Sequence, residues 1–152
     1  MAETARGIID WDNKIRFGIS FIDKQHQELC DLCNSLYQGI AEERSYSSSQ
    51  GWQTSLSDKM RKIFESLRNH FETEEKLLAT VGYEHLSDHK QSHRRCLSQI
   101  AEMLKDFDKS GLQTVIHFAK FLDRWLYQHI TFEDRLYVKP VLEYMRRQSS
   151  TK

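Results

Sequence analysis

The chain has 152 residues, 39 % of them hydrophobic and 29 % charged, which suits one domain that buries its core without disulfide or metal staples. Lys plus Arg equals Asp plus Glu, at 22 each, so the basic excess of a nucleic-acid binder is missing. No apolar run approaches the roughly 18 residues of a membrane span, "MAETARGIIDWDNK" lacks the basic start and apolar h-region expected of a signal peptide, and three cysteines without framework spacing point to a reducing, cytoplasmic setting.

Six glycines and one proline disfavour a many-turned β fold. Residues 1–19 read as an N-terminal arm. A first helix is expected from about Phe21 to Glu43, with Ser20 as N-cap and Asp23 reaching back in a capping box. Its inward stripe is Ile22, His26, Leu29, Cys30, Cys33, Leu36, Tyr37 and Ile40, and "ERSYSSSQG" breaks it. A second helix is expected from about Ser55, opened by the box "SLSD", to Ala79. Met60, Ile63, Phe64, Leu67, His70, Phe71, Glu74, Leu77 and Leu78 share its inner face, and Gly82 ends the region. The third runs from about Glu84 to Asp108, with His85, His89, His93, Cys96, Leu97, Ile100, Met103, Leu104 and Phe107 in line. "KSG" breaks it. The fourth runs from about Leu112 to Phe132, with Val115, Phe118, Ala119, Leu122, Trp125, Leu126, His129 and Ile130 inward. Residues 135–152 form a short C-terminal helix and tail, with Pro140 expected near the helix's first turn.

Four amphipathic helices joined by short breaks imply an all-α, antiparallel up-down-up-down bundle spanning residues 20–134 of a single domain. That topology gathers the histidines. His26 starts the first helix, His70 and Glu74 end the second, His89 and His93 start the third, and His129 ends the fourth, with Asp134 just beyond. All seven side chains therefore converge at one end of the bundle. Buried imidazoles without partners are costly, and metal coordination compensates them. The i, i+4 spacing puts two ligands on one helix face. Seven ligands exceed one tetrahedral zinc and suit two six-coordinate ions bridged by carboxylates. A mostly imidazole set without a thiolate pattern fits iron better than calcium or magnesium. His129 and Asp134 are five apart, so a local widening of the helix, or Asp134 at its terminus, is needed to turn the carboxylate inward.

With "DKQH", "NHFETE", "HKQSH" and "HITFED" the chain resembles the hemerythrin family, specifically the bacterial single-domain hemerythrins, over nearly its whole length. All seven positions of the family's ligand pattern are filled. The resemblance implies that His89, His93 and His129 bind one iron, His26 and His70 the other, and Glu74 and Asp134 bridge both. With an oxo or hydroxo bridge, the first iron is six-coordinate and the second five-coordinate. It further implies that O2 binds reversibly at the open position, behind a wall of Leu29, Phe71, Trp125, Leu126 and Ile130 that keeps water and protons out. The expected role is O2 binding, storage or delivery.

Several rival readings belong beside this one. The seven residues could be satisfied core histidines and carboxylates, but such residues rarely cluster. His85 and His117 fall outside the ligand pattern and read as structural, with His85 a possible neighbour of the site. "CDLC" lies mid-helix without a second pair, so Cys30 and Cys33 read as small buried hydrophobes, as does Cys96. Trp11 and Trp52 read as packing residues, Trp11 also as a cover for the site mouth. The domain could instead sense O2 or redox state for a partner, or be a di-iron oxidase, a peroxide or nitric oxide reductase, or an iron-repair protein. Oxidising di-iron bundles typically use Glu-x-x-His pairs and about four carboxylates. This chain has no Glu-x-x-His, so binding is expected rather than catalysis.

Overall fold

The structure, a computed structural model, describes residues 15–46 and 51–150. Its helices are α1 (Ser20–Tyr46), α2 (Trp52–Val81), α3 (Leu86–Ser110), α4 (Leu112–Gln128) and α5 (Arg135–Ser150), with a π-helical turn, His129–Asp134, joining α4 to α5. α1 packs on α2 and α4, α2 on α3, and α3 on α4, which closes an antiparallel four-helix bundle. The driving force is burial of one apolar stripe per helix. On α2 the stripe runs Leu56, Met60, Ile63, Leu67, Phe71 and Leu78, at steps of three, four and seven. Ile22, Leu29 and Leu36 of α1 and Phe118 and Leu122 of α4 meet it in the core. His70 and Glu74 sit in the same stripe and are equally buried.

The helix ends differ from the sequence expectation in instructive ways. Ser20 is the first helical residue, because the Asp23 amide bonds to the Ile19 carbonyl. Asp23 does reach back, but its carboxylate accepts the Phe17 and Gly18 N–H groups, at 2.7 and 3.1 Å. α2 starts at Trp52 behind a left-handed Gly51, so "SLSD" lies inside the helix and caps nothing. α2 ends where Gly82 adopts φ 77° and donates to Leu78 and Ala79, while Tyr83 donates back to Leu78. This closure satisfies carbonyls that the helix end leaves open. Gly111 alone separates α3 from α4, so that turn is very tight.

The fourth rod does not stop at Phe132. It continues through the π turn into α5, and Pro140 is the sixth residue of α5 rather than part of a first turn. The helical bond that Pro140 cannot make is to the carbonyl of Leu136, an exposed residue, so that carbonyl can face water. No helix among the described residues is long and apolar enough to cross a membrane. Trp11 lies outside the described residues. Trp52 is half-buried, packs against the core, and approaches Gly111.

Candidate metal centre

Antiparallel packing brings seven side chains together at one end of the bundle. His26 comes from α1, His70 and Glu74 from α2, His89 and His93 from α3, and His129 and Asp134 from the π turn. All seven are buried, at 5 % exposure or less. The π turn accounts for the five-residue spacing. It places more residues in one turn than an α-helix does, so Asp134 returns to the face of His129. The widening expected from the sequence is therefore present.

The ligand atoms fall into two overlapping groups. Glu74, His89, His93, His129 and Asp134 each offer an atom within 4.8 Å of the others, and so do His26, His70, Glu74 and Asp134. Both carboxylates belong to both groups. On one side Glu74 Oε2 lies 3.2 Å from His93 Nε2, and Asp134 Oδ1 lies 2.8 and 3.0 Å from His89 and His129 Nε2. On the other, Glu74 Oε2 is 3.5 Å from His70 Nε2, and Asp134 Oδ2 is 3.8 Å from His26 Nε2.

Nitrogens on the outward edges are held by protein. His26 Nδ1 lies 3.0 Å from the Ile15 carbonyl and His70 Nδ1 lies 2.7 Å from Gln25 Oε1. His93 Nδ1 is 2.7 Å from Glu75 Oε2, and His129 Nδ1 is 2.5 Å from Glu133 Oε2. Ser92 donates to that same Glu133 oxygen, and the Tyr137 hydroxyl donates to Glu74 Oε1 at 2.7 Å. These bonds turn Nε2 of His26, His70, His93 and His129 toward the centre, as an imidazole ligand requires. The inward atoms are the ones left without a hydrogen-bond partner: His26, His70 and His89 Nε2, Glu74 Oε2, and both oxygens of Asp134. Buried polar atoms left unpaired cost about 1–3 kcal/mol each, and here the ion pair of Asp134 Oδ1 with His89 relieves only part of that cost. A pair of metal ions satisfies all of them, so the residues present fit such a pair.

Without metal the cluster is electrostatically divided. Burial pushes His70 down to about 4, only partly opposed by Glu74, so its imidazole is neutral. Burial also opposes a charge on His129, but Asp134, Glu133 and Glu74 outweigh it and raise that group to about 10. Burial favours protonating Asp134, yet its ion pairs with His129 and His89 hold it well below the carboxylate range. Burial and the Glu74 carboxylate push the Tyr137 hydroxyl well up, so it stays a donor.

Aromatic rings cover part of the cluster. Phe71 stacks on His93 at 3.8 Å and Trp125 stacks on His129 at 4.3 Å, with the two covering rings 5.6 Å apart. Leu29, Leu126 and Ile130 are fully buried, while Trp125 is half-buried. His85 is a correction to the expected stripe of the third helix: it is the exposed residue preceding α3, paired with Glu84, because the chain is still turning there. His117 is exposed on α4. Cys30, Cys33 and Cys96 are buried thiols, and burial raises the last two far above the usual thiol range. Gln25, Glu75, Ser92, Glu133 and Tyr137 were missed from the sequence. Gln25 and Glu75 directly adjoin ligands in "KQH" and "TEEK", but adjacency alone does not say which nitrogen a polar residue will meet.

A helical bundle whose four rods converge on a dinuclear-type set of imidazoles and carboxylates defines a class of metal-binding bundles. The profile of the hemerythrin HHE cation binding domain matches residues 18–140, and the chain belongs to that family. It is 24 % identical over 140 residues to a bacteriohemerythrin of Stenotrophomonas maltophilia, covering 92 % of this chain and 86 % of that protein. It is 26 % identical to the bacteriohemerythrin of Clostridium acetobutylicum, over 84 % of this chain and 97 % of that one. A hemerythrin-like protein of Naegleria gruberi is 27 % identical, over 90 % and 97 %. A crystal structure of wild-type hemerythrin superposes with a TM-score of 0.73 at 22 % identity, covering 88 % of this chain and 98 % of that chain, which shows the shared fold.

Proposed function

We propose that this chain is a non-haem di-iron protein that binds O2 reversibly, for storage or delivery, rather than an enzyme. The observation that carries the reading is the pair of overlapping ligand groups sharing Glu74 and Asp134, with orphaned atoms on both sides. In this assignment His89, His93 and His129 would hold one iron and His26 and His70 the other, with Glu74 and Asp134, common to both groups, shared between them; the cofactor is two irons with an oxo or hydroxo bridge. Iron held there would supply a redox-active centre, with fewer protein ligands on the side of His26 and His70 than on the side of His89, His93 and His129. Relatives named bacteriohemerythrin support the assignment. So does the donor set, in which neutral imidazoles outnumber carboxylates and favour the ferrous state over a strongly oxidising one.

The remaining residues restrain the chemistry. Gln25, Glu75, Glu133 and the Ile15 carbonyl fix the rings, and Tyr137 holds Glu74 in place. Leu29, Phe71, Leu126 and Ile130 keep water from the centre, with Trp125 closing the partly exposed side. Excluding water and protons slows loss of reduced oxygen species and keeps binding reversible. Buried thiols at Cys30, Cys33 and Cys96 suit a reducing, cytoplasmic location. The decisive test is metal content together with the visible spectrum. Two irons per chain and a charge-transfer band that appears in air and fades when O2 is removed are expected. A band that never fades, with catalytic consumption of a reductant, would favour an oxidoreductase instead.

A further inference from the structure

The outer partners of the imidazoles divide by charge. His93 and His129, in the three-histidine group, each face a carboxylate: Glu75 Oε2 at 2.7 Å and Glu133 Oε2 at 2.5 Å. His26 and His70, in the two-histidine group, face neutral acceptors: the Ile15 carbonyl at 3.0 Å and the Gln25 amide oxygen at 2.7 Å. Both kinds of partner are themselves anchored. Ser92 donates to Glu133 at 2.9 Å, and the Gln25 amide nitrogen donates to Thr73 at 3.2 Å, which turns its oxygen toward His70. Each ring is thus held in one tautomer, with Nδ1 protonated and Nε2 free to ligate. The difference between the two groups is charge rather than orientation.

We propose that Glu133 and Glu75 are positioning residues that make the three-histidine subsite the more electron-rich of the two, leaving the two-histidine subsite to hold its iron ferrous. A carboxylate on Nδ1–H raises the donor strength of the opposite nitrogen and sets a negative charge one ring away from the metal. Two such carboxylates act on one iron, and among the described residues the other iron has none behind its histidines. Electron density therefore favours the ferric state at the three-histidine iron. The subsite of His26 and His70, with fewer protein ligands, would then be the one to hold a ferrous ion for O2. Glu133 is half-exposed, so it can be changed without opening the core.

The inference rests on the di-iron reading, and the test separates the two. The iron-loaded full chain is compared with Glu133→Gln, Glu75→Gln and Gln25→Glu. Midpoint potential is read by spectroelectrochemistry, and iron loss by transfer to a ferrous chelator. Gln can still accept from Nδ1–H, so the glutamine variants remove charge while keeping the ring held. Glu133→Gln and Glu75→Gln should retain two irons and favour the reduced state about tenfold more, which is about 59 mV for one electron. Iron loss should quicken by roughly 10–100-fold. Gln25→Glu, which adds charge behind His70, should move the midpoint the opposite way. Two irons per chain with midpoints unmoved in all three variants would overturn this inference and leave the di-iron reading standing. A purely structural role for Glu133 would lower the melting temperature and leave the midpoint alone, which also overturns it. A wild-type chain that takes up no iron overturns both.

Discussion

His129 and His70 are both buried histidines with carboxylate neighbours, yet metal-free they lie on opposite sides of the ordinary value of 6.5. For His129, burial loses to Asp134, Glu133 and Glu74, and the group rises to about 10. Its ion pairs stabilise the fold fully below about pH 6.5, and that stabilisation is lost as pH rises toward 10. For His70, burial wins and the group falls to about 4, so stability is lost as pH drops from 6.5 toward 4. Asp134, held low, adds to the acid-side loss. The metal-free chain should therefore be most stable near pH 6.5, with denaturant midpoints falling on both sides. A flat profile from pH 7 to 10 would show that His129 is neutral. A second prediction concerns Ile130, fully buried beside His129. Ile130→Thr removes apolar surface, and its hydroxyl can bond one turn back, so the fold should survive. Oxidation of the iron-loaded chain in air should speed up several-fold at unchanged iron content; an unchanged rate would mean the wall lies elsewhere. The seven converging residues were legible in the sequence because ligand pairs repeat at helical spacing within apolar stripes. Glu133 and Tyr137 were not: Glu133 reads as any solvent-facing acid one turn from His129, and Tyr137 as an ordinary residue until the position of Glu74 on α2 is known.

At the level of elements, periodicity located all four rods, but local chemistry misled at their ends. Ser20 and "SLSD" have the residues of capping boxes. The backbone instead turns at Ile19, and at a left-handed Gly51 upstream of Ser55. Packing of Trp52 against the core extends α2 upstream of Ser55 and outweighs a cap signal worth about 1 kcal/mol. A widened turn is legible in the five-residue step between His129 and Asp134. Its effect on the downstream chain is not: the turn lets α4 run on into α5, and it sets Tyr137 and Val141 into the core. The α2 end is the clearest place to test element-level control. Gly82 sits at φ 77° with open space where a Cβ would go, so an alanine there meets backbone strain without a steric clash. Gly82→Ala should destabilise the chain by about 1 kcal/mol. Calorimetric melting of the metal-free chain would measure this, and an unchanged melting temperature would show that the left-handed cap is not required.

Across the whole molecule, the bundle has two unlike ends. One end is filled by apolar groups such as Met60, Ile63, Val115 and Phe107, which are satisfied by packing alone. The other holds seven buried polar residues, six of whose atoms have no hydrogen-bond partner without a metal. Stability should therefore be uneven in the metal-free chain, since local opening tracks uncompensated burial. Iron that binds only the folded chain stabilises it by about 2.7 kcal/mol at a hundredfold excess over its dissociation constant. The ligands come from four rods, so that stabilisation should act on the cluster end of every rod at once. Amide hydrogen exchange, compared between iron-loaded and metal-free chain, resolves this by position. Protection should rise most around His26, from His70 to Glu74, from His89 to His93, and through the π turn. Amides near Met60, Phe107 and Val115 should gain little beyond the global increment. Protection confined to one helix pair would mean that a single ion binds between two rods. A uniform gain would mean that the bundle opens only as one unit, with no weak end for the metal to secure.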